Sequence, residues 1–139
     1  MPRILILNGP NLNLLGKRQP EIYGNKKFED FFKELKVTFP GIKLDYYQSN
    51  HEGDLIDKLQ EAEEKYDAVV FNPAAYTHTS IALRDTISAI KIPVAEVHIT
   101  DIYKRERFRH VSYIADVVAF RIVGKGLEGY RMAIEKFSK

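Results

Sequence analysis

Ile4-Leu5-Ile6-Leu7, followed at once by Asn8-Gly9-Pro10, decides how this chain is read. Four consecutive aliphatic residues are too few for a membrane span or a signal-peptide core. They suit a strand buried on both faces and stopped by a turn. The pattern recurs at Ala68–Phe71, broken by Asn72-Pro73, and at Val94–Val97. Ile42–Tyr47, with Ile42, Leu44 and Tyr46 alternating, reads as a further strand, and Val117–Ile122 as the last.

Between these runs the spacing turns helical. Phe28, Phe31, Phe32, Leu35 and Phe39 follow it until Pro40-Gly41 ends the helix. Ser49 and Glu52 have capping-box spacing ahead of Leu55, Leu59, Ala62 and Tyr66. Leu83, Thr86, Ile87 and Ile90 mark a third helix, and Leu127, Tyr130, Ile134 and Phe137 a closing one. Strands apolar on both faces, alternating with helices, predict a parallel sheet covered on each side. The expected fold is α/β: a flavodoxin-like, doubly wound five-stranded parallel sheet in one domain spanning 1–139. No repeat, linker or low-complexity stretch interrupts it. Ligands of such folds bind beyond the carboxyl ends of the strands.

Gly9 to Gly24 breaks the rhythm, with two prolines, three glycines and no clear period. A segment of that kind reads as a lid at about 10–24, or as an ordered surface loop.

The formal charge of +2 gives no nucleic-acid footprint, and the basic stretch Lys104 to His110, short and containing Glu106, reads as a mostly solvated segment. There is no cysteine, so disulfides, thiolate nucleophiles and zinc–thiolate sites are excluded. The chain reads as soluble and cytoplasmic, with no membrane partner.

Gathering the strand ends brings together Asn8, Asn11, Asn72, His78, Glu96, His98 and Thr100, with Arg18 and Tyr23 in the lid segment. No Gly-x-Ser-x-Gly elbow is present. Gly9 and Gly16 are too far apart for a phosphate loop, and Arg18 stands where a hydroxyl should bind magnesium. No G-x-G-x-x-G follows a strand, and the four histidines lack metal-ligand spacing. No cofactor and no metal is expected.

Glu96 and His98, two apart on a strand, leave the same face. Such a pair is either a general acid with its orienting carboxylate or a structural polar pair at the sheet edge. Arg18 and Tyr23 form a second pair. A phenol titrates near about 10, so a tyrosinate at neutral pH needs roughly 4 kcal/mol of stabilisation. An adjacent guanidinium in a water-poor cavity is one way to supply it. Lone Tyr and Arg residues in loops are more often surface contacts, and chemistry alone leaves both readings open.

At these residues the chain resembles the type II 3-dehydroquinate dehydratases, the type II dehydroquinases of the shikimate pathway. Four blocks carry the resemblance: Ile6 to Gly16 with Arg18 and Tyr23-Gly24, Gln48 to Gly53, Asn72-Pro73 through Tyr76 to Ser80, and Glu96-Val97-His98. It implies a hydro-lyase that reversibly dehydrates 3-dehydroquinate to 3-dehydroshikimate through an enolate, in aromatic amino acid biosynthesis or in quinate catabolism. By position, Tyr23 is the expected base at C2 and Arg18 the cation that keeps it ionised. His98 is the expected acid for the C1 hydroxyl, Glu96 supports it, and Asn11 serves the enolate oxygen. Asn72 and the backbone N–H groups of Ile99 and Thr100 match a carboxylate pocket, and His78 and Arg109 match contacts to ring hydroxyls. Asp85 corresponds to a residue reaching the site from a neighbouring subunit, which goes with a homo-oligomer of trimers assembled into a dodecamer. The chain departs from the family at Thr100-Asp101, where Ser-Asn is usual, and at Ala74-Ala75, where many relatives have glycine. Asp101 would add negative charge near a carboxylate site. A non-catalytic module binding small anions is the other class of reading.

Overall fold

In the computed structural model, which describes residues 1–17 and 19–139, the described strands form one parallel sheet. They are β1 (Arg3–Asn8), β2 (Lys43–Gln48), β3 (Ala68–Asn72), β4 (Val94–His98) and β5 (Phe120–Val123). The helices are α1 (Pro20–Tyr23), α2 (Phe28–Thr38), α3 (Glu52–Lys65), α4 (Ile81–Ala89) and α5 (Glu128–Phe137). Strand order is β2-β1-β3-β4-β5, so the chain winds to one side of β1 and then to the other. The reversal creates a crevice between the ends of β1 and β3.

Alternation along the central strands divides the core in two. Ile4 and Ile6 of β1 and Val70 of β3 pack with Phe28, Phe31 and Leu35 of α2 and with Tyr130 and Ile134 of α5. Leu5, Leu7, Val69 and Phe71 pack on the other face with Leu55 and Leu59 of α3 and Leu83 and Ile87 of α4. Full burial of each such side chain contributes about 1.5–3 kcal/mol. Acidic residues sit in the first turns of α2 and α3 and a lysine in the last, favourable to both helix dipoles. Among the described residues no helix is long and apolar enough to cross a membrane.

Three expectations change in detail. The last strand begins at Phe120, not Val117: the Val117 and Val118 amides both turn back to the Ile114 carbonyl, and the side chains pack beside the α3/α4 core. Their apolar run is a half-buried turn. The capping box at Ser49 does not form, because α3 starts at Glu52 with His51 in the cap position. Ser49 Oγ instead accepts from the His51 amide at 3.0 Å and donates to Asp54 at 2.8 Å. The lid segment is not structureless, for it holds a 3-10 turn at Leu12–Leu14 and the short α1.

The turns after β1 and β3 touch. The Gly9 amide donates to the Asn72 carbonyl at 2.8 Å, and a Cβ at Gly9 would lie 2.5 Å from the Pro73 oxygen. Only glycine permits that approach.

Candidate active site

A cavity of about 180 Å³ opens at the carboxyl ends of β1, β3 and β4. Asn11, Tyr23, Asn72, His78 and His98 line it, with Ile99, Thr100 and Arg109. Eight of the expected site residues therefore meet around one space. Glu96 lies behind His98, fully buried, and Asp85 is exposed on α4 and does not line the cavity of its own chain. Arg18 lies outside the described residues.

The strand ends position the polar groups. Asn11 adopts a left-handed backbone (φ 69°), and its amide donates to Asn50 Oδ1 at 3.0 Å, tying the turn after β1 to the end of β2. Asn72 Oδ1 accepts from the Ala74 amide at 3.0 Å, while its Nδ2 donates to Tyr130 Oη at 2.9 Å. Tyr130, fully buried, donates its own hydrogen bond to Asn8 Oδ1 at 2.8 Å. These bonds fix the Asn72 amide and leave it a second N–H. Ala74, at φ 53°, holds a left-handed conformation, which a glycine would adopt without strain.

His78 donates from Nδ1 to the Val111 carbonyl at 2.7 Å, and burial pushes its imidazole below the ordinary histidine range. A neutral ring in that tautomer presents Nε2 as an acceptor. His98 directs Nε2 to Glu96 Oε2 at 2.5 Å, which leaves Nδ1 for a substrate. Burial alone would raise the Glu96 carboxyl. Hydrogen bonds from His98 and Ser112 and the charge of Arg121 outweigh it, so the group sits below its usual range. Asp101 accepts from the Tyr103 amide at 3.0 Å, capping the turn Ile102–Lys104, and is not a lining residue.

One decisive contact was not anticipated. Arg105, on the segment read from sequence as a solvated basic stretch, donates from Nη1 to Tyr23 Oη at 2.8 Å. Its guanidinium carbon lies 5.6 Å from the Tyr23 ring centroid, and its side chain is only 17% exposed. A phenol bonded to a cation, facing a cavity whose wall also carries His98 with Glu96 behind it, brings a candidate base and a candidate acid to one space. Among the described residues no cluster of three His, Asp or Glu side chains could hold a metal ion.

Residues 2–138 match the model of the family described as dehydroquinase class II. The chain belongs to the class II dehydroquinases. It is 57% identical over 136 residues to a 3-dehydroquinate dehydratase of Bacillus pumilus, covering 96% of this chain and 92% of the relative. It is 55% identical to a 3-dehydroquinate dehydratase of Bacillus licheniformis, covering 99% and 96%. The crystal structure of the type II dehydroquinase of Butyrivibrio crossotus superposes with a TM-score of 0.96 at 45% identity, covering 99% of this chain and 98% of that one. The five-stranded flavodoxin-like order of this dehydroquinase is thus shared by its solved relatives.

Proposed function

We propose that this dehydroquinase is a hydro-lyase converting 3-dehydroquinate to 3-dehydroshikimate, with Tyr23 as base and His98 as acid. The carrying observation is the Arg105–Tyr23 hydrogen bond in the cavity that His98 also lines. The phenolate takes the C2 proton, and Arg105 offsets its charge; Arg18 is the second cation proposed for that role. The electron pair moves into an enolate, whose oxygen Asn11 stabilises directly or through water. His98 then gives its Nδ1 proton to the departing C1 hydroxyl, which leaves as water, while Nε2–H stays with Glu96. The proton gained by Tyr23 and that lost by His98 are exchanged with solvent to reset the site.

Binding follows from the remaining groups. The free N–H of Asn72 and the amides of Ile99 and Thr100 suit a carboxylate. His78 Nε2 and the Arg109 guanidinium suit ring hydroxyls. Asp85, exposed on its own α4, is proposed to complete the cavity of a neighbouring subunit in a homododecamer. Native mass spectrometry reads that assembly directly.

The activity test follows the conjugated enone by absorbance after adding 3-dehydroquinate to purified protein. Product formation without added nucleotide or metal is expected; a folded sample giving none overturns the proposal. Tyr23→Phe should lower kcat by roughly 10³-fold while calorimetry still detects substrate binding. A near-normal rate in that variant refutes the base assignment. A protein that binds the substrate without turning it over would instead be the anion-binding module.

A further inference from the structure

Arg121 stands on β5 as the register partner of Glu96 on β4. Its Nε donates to Glu96 Oε1 at 2.9 Å and its Nη2 reaches Oε2 at 3.5 Å, the oxygen that also takes His98 Nε2 and, at 2.8 Å, Ser112 Oγ. From the far side, Arg121 Nη1 donates to Tyr103 Oη at 2.9 Å. Arg121 does not line the cavity, so it cannot touch substrate there.

We propose that Arg121 is a positioning residue for the proton-donating step: it locks the Glu96 carboxylate in place and offsets its charge, so that Glu96 orients His98 without over-binding its proton. The inference rests on His98 being the acid of the dehydratase. A wholly buried carboxylate with an imidazole as its sole charged neighbour holds the shared proton strongly, which makes a poor donor. A guanidinium held chiefly on the opposite oxygen and reaching across to Oε2 weakens that hold and also fixes the rotamer. Among the described residues, the donors to the Glu96 oxygens are His98, Ser112 and Arg121. Other charged or titratable groups face the pair from further away. They are His78 and Arg109 across the cavity, Tyr23 with Arg105 on its lining, Asp101 beyond the end of β4, and Tyr103 with His110 beside Arg121.

A bridge that merely closed the sheet edge would support stability and leave the acid alone. The two roles separate in the pH dependence of kcat, whose alkaline limb reports loss of the protonated acid. The full chain is compared with Arg121→Gln and Arg121→Lys, reading kcat by enone absorbance and the His98 ring carbon by NMR titration. Removing the charge in Arg121→Gln should shift both the alkaline limb and the NMR midpoint upward by about one pH unit, with the acidic limb unmoved. Plateau kcat should fall about 3- to 10-fold, since a more tightly held proton is a weaker acid. Arg121→Lys should keep both midpoints within roughly 0.3 unit of wild type. If Arg121→Gln does not fold, Arg121→Met, unbranched and apolar at this half-buried edge position, carries the same expectation. A folded, slower variant whose limb and NMR midpoint both stay in place overturns the proposal. If the wild type makes no product, the dehydratase reading fails, and the NMR shift alone still decides whether Arg121 governs the pair.

Discussion

His98 is the last residue of β4, 4% exposed, with its ring bonded to a carboxylate that three side chains hold. Tyr23 ends a four-residue helix between Gln19 and Gly24, both at positive φ, on a segment whose path depends on glycine at 16 and 24. The geometry of His98, the proposed acid, is set by the register of the sheet, and that of Tyr23, the proposed base, by a short helix pinned from outside by Arg105. A group that must stay oriented is built into the most rigid layer. Tyr23 is instead carried on the connection between β1 and α2, and motion of such connections commonly accompanies closure.

The comparison breaks most sharply at Arg105. A charge-assisted bond to the phenol oxygen is worth about 1.5–3 kcal/mol, so Arg105→Gln should cut kcat roughly 10- to 100-fold. Steady-state rates test this; an unchanged kcat would mean the pin is not needed. On the rigid side, Tyr130→Phe strands the buried amides of Asn72 and Asn8 and should cost about 1–3 kcal/mol in urea unfolding. KM should rise with it if Asn72 holds the carboxylate.

Smaller effects sharpen the contrast. Ala74→Gly relieves a left-handed alanine and should stabilise the fold by about 1 kcal/mol, read as a rise of a few degrees in Tm. A drop in Tm would show the strain to be absent. His78 gives the mildest prediction. Because burial lowers its imidazole in the folded chain, the unfolded chain binds that proton more readily. Its contribution is complete above the ordinary histidine value of about 6.5 and erodes as pH falls below it. Urea midpoints at decreasing pH should therefore decline less steeply in His78→Gln than in wild type.

The rigid half was the more legible in sequence. Strands buried on both faces must be aliphatic throughout, so β1, β3 and β4 announce themselves, and the polar residue that ends each run marks the site. β5 lies at the edge with its residues half-buried, so nothing distinguished it from the apolar turn before it, and its start was placed too early. Asn11, Tyr23, His98 and the residues proposed for binding came from the resemblance to a family, because spacing alone could not separate an acid pair from a structural one. Arg105 and Arg121 escaped for a physical reason. An arginine in a basic stretch reads as solvated, and only the folded path brings Arg105 to Tyr23 and the β4–β5 register brings Arg121 to Glu96.

Gly9 sets a limit on how this molecule can vary. The loops carrying Asn11 and Asn72 approach so closely that even one methyl group would collide with the Pro73 carbonyl. Any larger residue must wedge those loops apart, widening the floor between the groups proposed for the enolate and the carboxylate. The spacing of two proposed substrate handles is thus dictated by an atom that is missing, before any ligand arrives.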